Sequence, residues 1–190
     1  LIRNKTSKEL FSKIMESVKS WGEPGFVWSS NEDIIYNPCV EIGMTPYYID
    51  GNEDKISGWE GCNLTEINGS KCNTEQEFYD ACKASAILGT LQAGYTNFKY
   101  VTDITKKIFD KEALLGCSIT GFMNNPMILF NPEIQKKGAE IIKETNKIIA
   151  SFIGINQAAR TTCVKPSGNA SVILGTASGI HGEHSKKYFR

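Results

Sequence analysis

The sequence predicts an α/β protein in which helices alternate with short buried strands, the arrangement of a parallel sheet or barrel. Three observations carry that expectation: three amphipathic helices with recognisable caps, short β-branched or apolar stretches between them bounded by Gly and Pro, and 41% hydrophobic residues in a chain of 190. Such a length and composition suit one domain with a sizeable core and argue against disorder.

The first helix opens on the capping box Thr6-x-x-Glu9, carries Leu10, Phe11, Ile14, Met15, Val18 and Trp21 on one face, and stops at Gly22-Glu23-Pro24-Gly25. A second box, Thr74-x-x-Glu77, opens a helix whose expected apolar face includes Phe78, Cys82, Leu88 and Leu91, with Gly94 as its stop. Asn131-Pro132 sets a cap and a first-turn proline before a long helix with Ile134, Ile141, Ile142, Thr145, Ile148, Ile149 and Phe152, ending near Gly154. Residues 118–120 and 161–165 read as short buried strands. The polar segment 46–61, with Asp50-Gly51, reads as a hairpin or excursion between two more ordered pieces.

Lys+Arg and Asp+Glu both total 21, so no overall field favours nucleic acid or an anionic membrane, and phosphate recognition has to be local. No apolar run approaches the roughly 18 residues of a membrane span, and the opening is too polar for a signal peptide, so the expected location is cytoplasmic. Both ends, at Leu1 and Arg190, read as cuts in a longer protein. A secreted disulfide protein is the alternative suggested by six cysteines and by Asn-x-Ser/Thr triplets at Asn4, Asn63, Asn68 and Asn169. Against it, the cysteines are spread over a chain rich enough in Leu and Ile to need no staples.

Asn37-Pro38-Cys39-Val40-Glu41 places an amide, a thiol and a carboxylate at alternate positions, so an extended segment would aim all three side chains the same way. Alone the pattern is weak, since a strand with a buried Cys between two solvated polar residues would give it too. Cys62 follows 23 positions after Cys39, within Cys62-Asn63-Leu64-Thr65-Glu66-Ile67-Asn68. A hundred residues further lies Pro166-Ser167-Gly168-Asn169-Ala170-Ser171, small hydroxyl residues at a strand-to-helix turn that could aim N–H groups at a phosphate. His181 and His184 are too few for a metal site, and no paired Cys-x-x-Cys zinc spacing occurs.

Together these three elements resemble the catalytic half of the ribonucleotide reductase large subunit, from Gly22-Glu23-Pro24-Gly25 to the ending Gly179-Ile180-His181 through Arg190. The resemblance implies part of a ten-stranded α/β barrel with a central catalytic finger loop, and a radical reduction of ribonucleotides to 2′-deoxyribonucleotides for DNA synthesis. It implies that Cys39 becomes a thiyl radical, that Glu41 acts as base on the 3′-hydroxyl, and that Asn37 holds the ribose hydroxyls. Cys62 becomes one member of a redox dithiol, whose partner the family places before Leu1, and Pro166, Ser167, Gly168, Asn169, Ala170 and Ser171 become the substrate phosphate loop. Cys72, Cys82, Cys117 and Cys163 are assigned to packing.

The Asn37-Pro38-Cys39 start and the His184 to Arg190 ending resemble most the adenosylcobalamin-dependent class, with a thioredoxin-like dithiol as reductant, a ribonucleotide as substrate, and no nucleic acid, membrane or metal. The gap from Cys39 to Cys62 keeps open the class that takes its radical from a metal-bearing second subunit. A non-enzymatic nucleotide-binding module of the same fold would instead leave Asn37, Cys39 and Glu41 unconverged.

Overall fold

The computed structural model describes residues 5–183, 185 and 187. The side chain of Thr6, and with it the first capping box, lies outside the described residues, as do His184 and most of the charged ending. The chain divides into two compact units, residues 1–32 and 33–190.

In the first unit, helix α1 (Lys5–Trp21) ends where expected. Gly22, at φ 73°, donates its N–H to the Val18 carbonyl, and the chain turns back so that the Phe26 ring lies 6.4 Å from Phe11. Leu10, Met15 and Trp21 of the predicted apolar stripe stay exposed.

The second unit begins with two hairpins. Strand β1 (Ile35–Tyr36) pairs antiparallel with β2 (Gly43–Met44), and β3 (Tyr47–Ile49) with β4 (Lys55–Ser57). The second fulfils the expectation for segment 46–61. Asp50 Oδ1 closes its turn by accepting from the N–H groups of Asn52 and Asp54.

A parallel pair forms the centre. Strand β5 (Asn63–Asn68) runs alongside β6 (Leu115–Thr120), in register from Asn63 opposite Leu115 to Asn68 opposite Thr120. Parallel pairing requires a long crossover. It is made by α2 (Glu75–Ala93) and α3 (Asp103–Glu112). On the far side of β6, residues 161–165 run extended and parallel, with Cys117 opposite Thr162. Backbone bonds from Cys117 N–H to the Thr161 carbonyl and from Cys163 N–H to the Cys117 carbonyl hold them there. Beyond β6 lie the short helix α4 (Pro126–Leu129), the long α5 (Pro132–Ile153) and the short α6 (Ala170–Leu174). Among the described residues the strands form three two-stranded sheets, so the structure shows a parallel α/β core.

The predicted caps of α2 and α5 are present. Thr74 and Glu77 form the reciprocal box, and Asn131 Oδ1 accepts from the N–H groups of Glu133 and Ile134. The buried faces differ from expectation. Leu88, Leu91, Ile148 and Phe152 are exposed, while α2 buries Phe78, Cys82, Ala86, Gly89 and Thr90 and α5 buries Ile134, Gly138, Ile142, Asn146 and Ala150. Small residues bring the two helices close. A Cβ on Gly138 would stand 2.6 Å from Phe78 Cε1. Asn146, fully buried, donates to Thr90 Oγ1 at 3.0 Å and accepts from the Ala158 N–H at 3.0 Å, so the polar atoms within this interface are paired. Helix α3 was not predicted, because its ten residues hold few apolar positions and Thr102 makes no side-chain cap.

Candidate active site

Alternation along the three parallel segments sorts their side chains. One face turns Ile67, Cys117 and Ile119 into the core with Phe78, Cys82 and Ile142. The other face carries Cys62, just before β5, with Leu64 and Glu66 of β5, Gly116, Ser118 and Thr120 from β6, and Cys163 and Lys165 from the third segment, with Ser167 just after it. Cys62 and Ser167 were expected as site residues. Glu66, Ser118, Thr120, Cys163 and Lys165 were not, although the alternate spacing of Cys62-x-Leu64-x-Glu66 and Cys163-x-Lys165-x-Ser167 is itself a signal.

The Asn37–Glu41 motif is a turn, which corrects the extended arrangement expected for it. Pro38 and Cys39 occupy its centre, and the Val40 N–H donates to the Asn37 carbonyl at 2.9 Å. Val40 sits at φ 64°, a left-handed conformation costly for a β-branched residue. Cys39, at the apex of the hairpin, is exposed. Asn37 and Glu41 nevertheless converge, because the turn folds one back on the other. Asn37 Nδ2 donates to Glu41 Oε2 at 2.7 Å, and its Oδ1 accepts from the Ile42 N–H at 3.0 Å. The Glu41 side chain is 2% exposed, and its Oε1 lies 3.7 Å from Lys165 Nζ without a hydrogen-bond donor.

Cys62 packs with Leu64, Cys163 and Ile42 in a small apolar cluster. Gly116 makes room for it. A Cβ there would stand 2.5 Å from Leu64 Cδ2, 3.0 Å from Cys62 Sγ and 3.1 Å from Cys163 Sγ. Burial, followed by the neighbouring Cys163, Cys117 and Glu41, pushes the Cys62 thiol up to about 12. Burial and Glu41 likewise push Cys163 to about 11. Cys62 therefore lies within electrostatic reach of Glu41, packed against its neighbour Ile42, and Cys163 belongs to this cluster, unlike the core residues Cys72, Cys82 and Cys117. All six cysteines are free. The Asn63 amide is committed to the Leu114 carbonyl and Asn68 caps a one-turn helix, so neither is presented as a glycan acceptor.

The Pro166–Ser171 turn is anchored from below. Ser167, 2% exposed and at φ 72°, receives a hydrogen bond from Thr120 Oγ1 at 2.7 Å and donates to Glu66 Oε2 at 3.3 Å. Ser171 Oγ donates to the Gly168 carbonyl. Both hydroxyls point into the fold, which leaves Pro166, Gly168 and Asn169 as the exposed part of the turn. Thr120 also accepts from the Gly179 N–H at 2.9 Å, tying the following loop to the same sheet face. His181 is exposed, and among the described residues no group of three metal-ligating side chains occurs. Among them, too, no helix is long and apolar enough to cross a membrane.

An open-faced parallel α/β core with a polar hairpin at one side has a counterpart among solved structures. A crystal structure of a B12-dependent, class II ribonucleotide reductase superposes with a TM-score of 0.64 over 90% of this chain and 28% of that one, at 20% identity, so the fold is shared. In sequence the chain is similar to adenosylcobalamin-dependent ribonucleoside-triphosphate reductases. It is 24% identical over 195 residues to a probable one of Dictyostelium discoideum and 27% over 197 residues to that of Euglena gracilis, each match covering 95% of this chain. To that of Lactobacillus leichmannii it is 22% identical over 90% of the chain. It spans about a quarter of these relatives' length, 24%, 25% and 27% respectively. No family model matches. The resemblance to the adenosylcobalamin-dependent class, first seen in the motifs, is thus met across nearly the whole chain.

Proposed function

We propose that this chain carries catalytic residues of a ribonucleotide reductase, with Cys39 as the radical residue, Glu41 as base and Cys62 as reductant. The observation that supports it best is the convergence of Asn37, Glu41 and Cys62 at the base of the Cys39 hairpin. In this reading the Cys39 sulfur takes the 3′-hydrogen of the ribose, and Glu41 receives the 3′-hydroxyl proton. The 2′-hydroxyl then leaves as water, with Cys62 giving up its proton. A buried thiol pushed up to about 12 stays protonated at neutral pH, which suits a donor and not a thiolate nucleophile. Cys62 and a second thiol supply two electrons and close to a disulfide, their second hydrogen going to C2′ and the Glu41 proton returning to the 3′-oxygen, and Cys39 returns its hydrogen to C3′. A ribonucleotide and a dithiol thereby become a deoxyribonucleotide, water and a disulfide. Asn37 fixes the carboxylate throughout.

Adenosylcobalamin supplies, when bound, the organic radical that removes the Cys39 hydrogen. Cys39, at the hairpin apex between β1 and β2, is the residue that would meet it. The Pro166–Ser171 turn, with Gly168 and Asn169 outward, is the proposed phosphate contact. A thioredoxin-like protein is the proposed dithiol donor, and the cytoplasm the proposed location.

The experiment is turnover by the intact protein carrying this sequence. With adenosylcobalamin, a small dithiol and a ribonucleotide, and no second protein, it forms the 2′-deoxyribonucleotide. Turnover only on adding a metal-bearing subunit would overturn the cofactor class, and no turnover under either condition would overturn the enzyme reading.

A further inference from the structure

We propose that Glu66 is a second carboxylate of the substrate site, receiving one of the two ribose hydroxyls while Glu41 receives the other. The inference rests on the ribonucleotide reading above and adds a residue to it. Glu41 and Glu66 are held alike. One oxygen of each accepts from a neighbour, Asn37 Nδ2 for Glu41 and Ser167 Oγ for Glu66, while the other oxygen of each is buried and has no hydrogen-bond donor. Buried carboxylate oxygens without donors are costly to leave so, and a pair of them calls for a ligand that brings donors. Lys165 faces both: its ammonium lies 3.7 Å from Glu41 Oε1 and exerts a longer-range attraction on the Glu66 carboxylate.

Register places the three together. Glu66 lies opposite Ser118, whose hydroxyl accepts from the Lys165 N–H at 3.0 Å, so Glu66 and Lys165 flank Ser118 on one sheet face. Two acceptors beside one cation fit a vicinal diol, which offers two O–H donors on adjacent carbons. The chemistry excludes an anion at this point, since a phosphate would meet two carboxylates. The phosphates belong at the Gly168 end of the Pro166–Ser171 turn.

The test measures equilibrium binding, without turnover, of a ribonucleotide and of its 2′-deoxy and 3′-deoxy analogues to the intact protein and to its Glu66→Gln and Glu66→Ala variants. Thermal unfolding verifies that each variant is folded. The native protein is expected to favour the ribonucleotide over both analogues by about tenfold or more, the worth of a hydrogen bond to a charged acceptor. Glu66→Ala should abolish that preference against one analogue and keep it against the other, with Glu66→Gln intermediate. Unchanged preferences in both folded variants would overturn the role of Glu66 and leave the enzyme reading standing. A native protein that binds the ribonucleotide no better than either analogue would overturn both.

Discussion

The two faces of the β5, β6 and 161–165 sheet differ in everything but backbone. One is apolar and closed, with Ile67, Cys117 and Ile119 against α2 and α5. The other is polar, partly open and populated by groups whose hydrogen-bonding capacity is incompletely used. A period of two residues puts opposite demands on neighbouring positions, so packing and chemistry are separated by one step along the chain. Thr65 and Glu66 show this: the Thr65 hydroxyl bonds Ser85 of α2 at 2.6 Å, while the Glu66 carboxylate reaches Ser167 on the other side.

If the separation is real, substitutions on the closed face reduce stability while the open face governs chemistry. The largest effect on stability is expected for Phe78→Ala, which empties the contact that Gly138 was shaped to admit. Its loss should cost about 3 to 5 kcal/mol, read from the midpoint of urea unfolding. A cost under about 1 kcal/mol would mean that the α2–α5 interface is loosely packed.

Gly116→Ala is the sharper probe, because it lies on the open face yet has no space for a methyl group. Overpacking against Leu64, Cys62 and Cys163 should cost about 1 to 3 kcal/mol. It should also displace the Cys62 thiol and raise its alkylation rate in the folded protein. Unchanged stability and alkylation would show that the thiol pocket is wider than the distances state.

Smaller still is the effect of Glu60, whose Oε2 accepts from the Thr45 N–H while its Oε1 is buried without a donor. Burial, and secondarily Glu112, raise its carboxyl above the ordinary range against the opposing Thr45 bond, Arg160 and Lys111. The folded state then binds this proton more tightly than the unfolded chain. The stability it contributes is fully present below the unfolded value and is lost as pH rises through the folded one. Glu60→Gln should therefore unfold at a temperature that gains on the native protein between about pH 4 and pH 7. A difference in Tm that does not vary with pH would contradict the assignment.

How far the sequence disclosed this arrangement follows the same division. The capped helices were legible, because Thr74, Glu77, Asn131, Pro132, Gly94 and Gly154 act locally on their own backbone. The buried face of α2 was legible only in part: Phe78 and Cys82 are buried as expected, whereas Leu88 and Leu91 are exposed and Ala86 and Gly89 are buried in their place, Gly89 close against Leu115. Asn37, Glu41 and Cys62 were visible as a motif, whereas their meeting depends on a turn at Pro38-Cys39 in place of the strand that alternate spacing suggested. Lys165 and Glu66 escaped notice because they are 99 positions apart and come to one sheet face only through register across β6.

The central claim is that Cys39 carries the reacting hydrogen, and its most direct measurement compares native protein with Cys39→Ser in the intact protein carrying this sequence. The hairpin exposes Cys39, so exchanging sulfur for oxygen should leave folding and ribonucleotide affinity nearly unchanged. Because an O–H bond holds its hydrogen too strongly for the abstraction, formation of 2′-deoxyribonucleotide should fall below detection. Turnover by folded Cys39→Ser at a rate near that of the native protein would contradict the account.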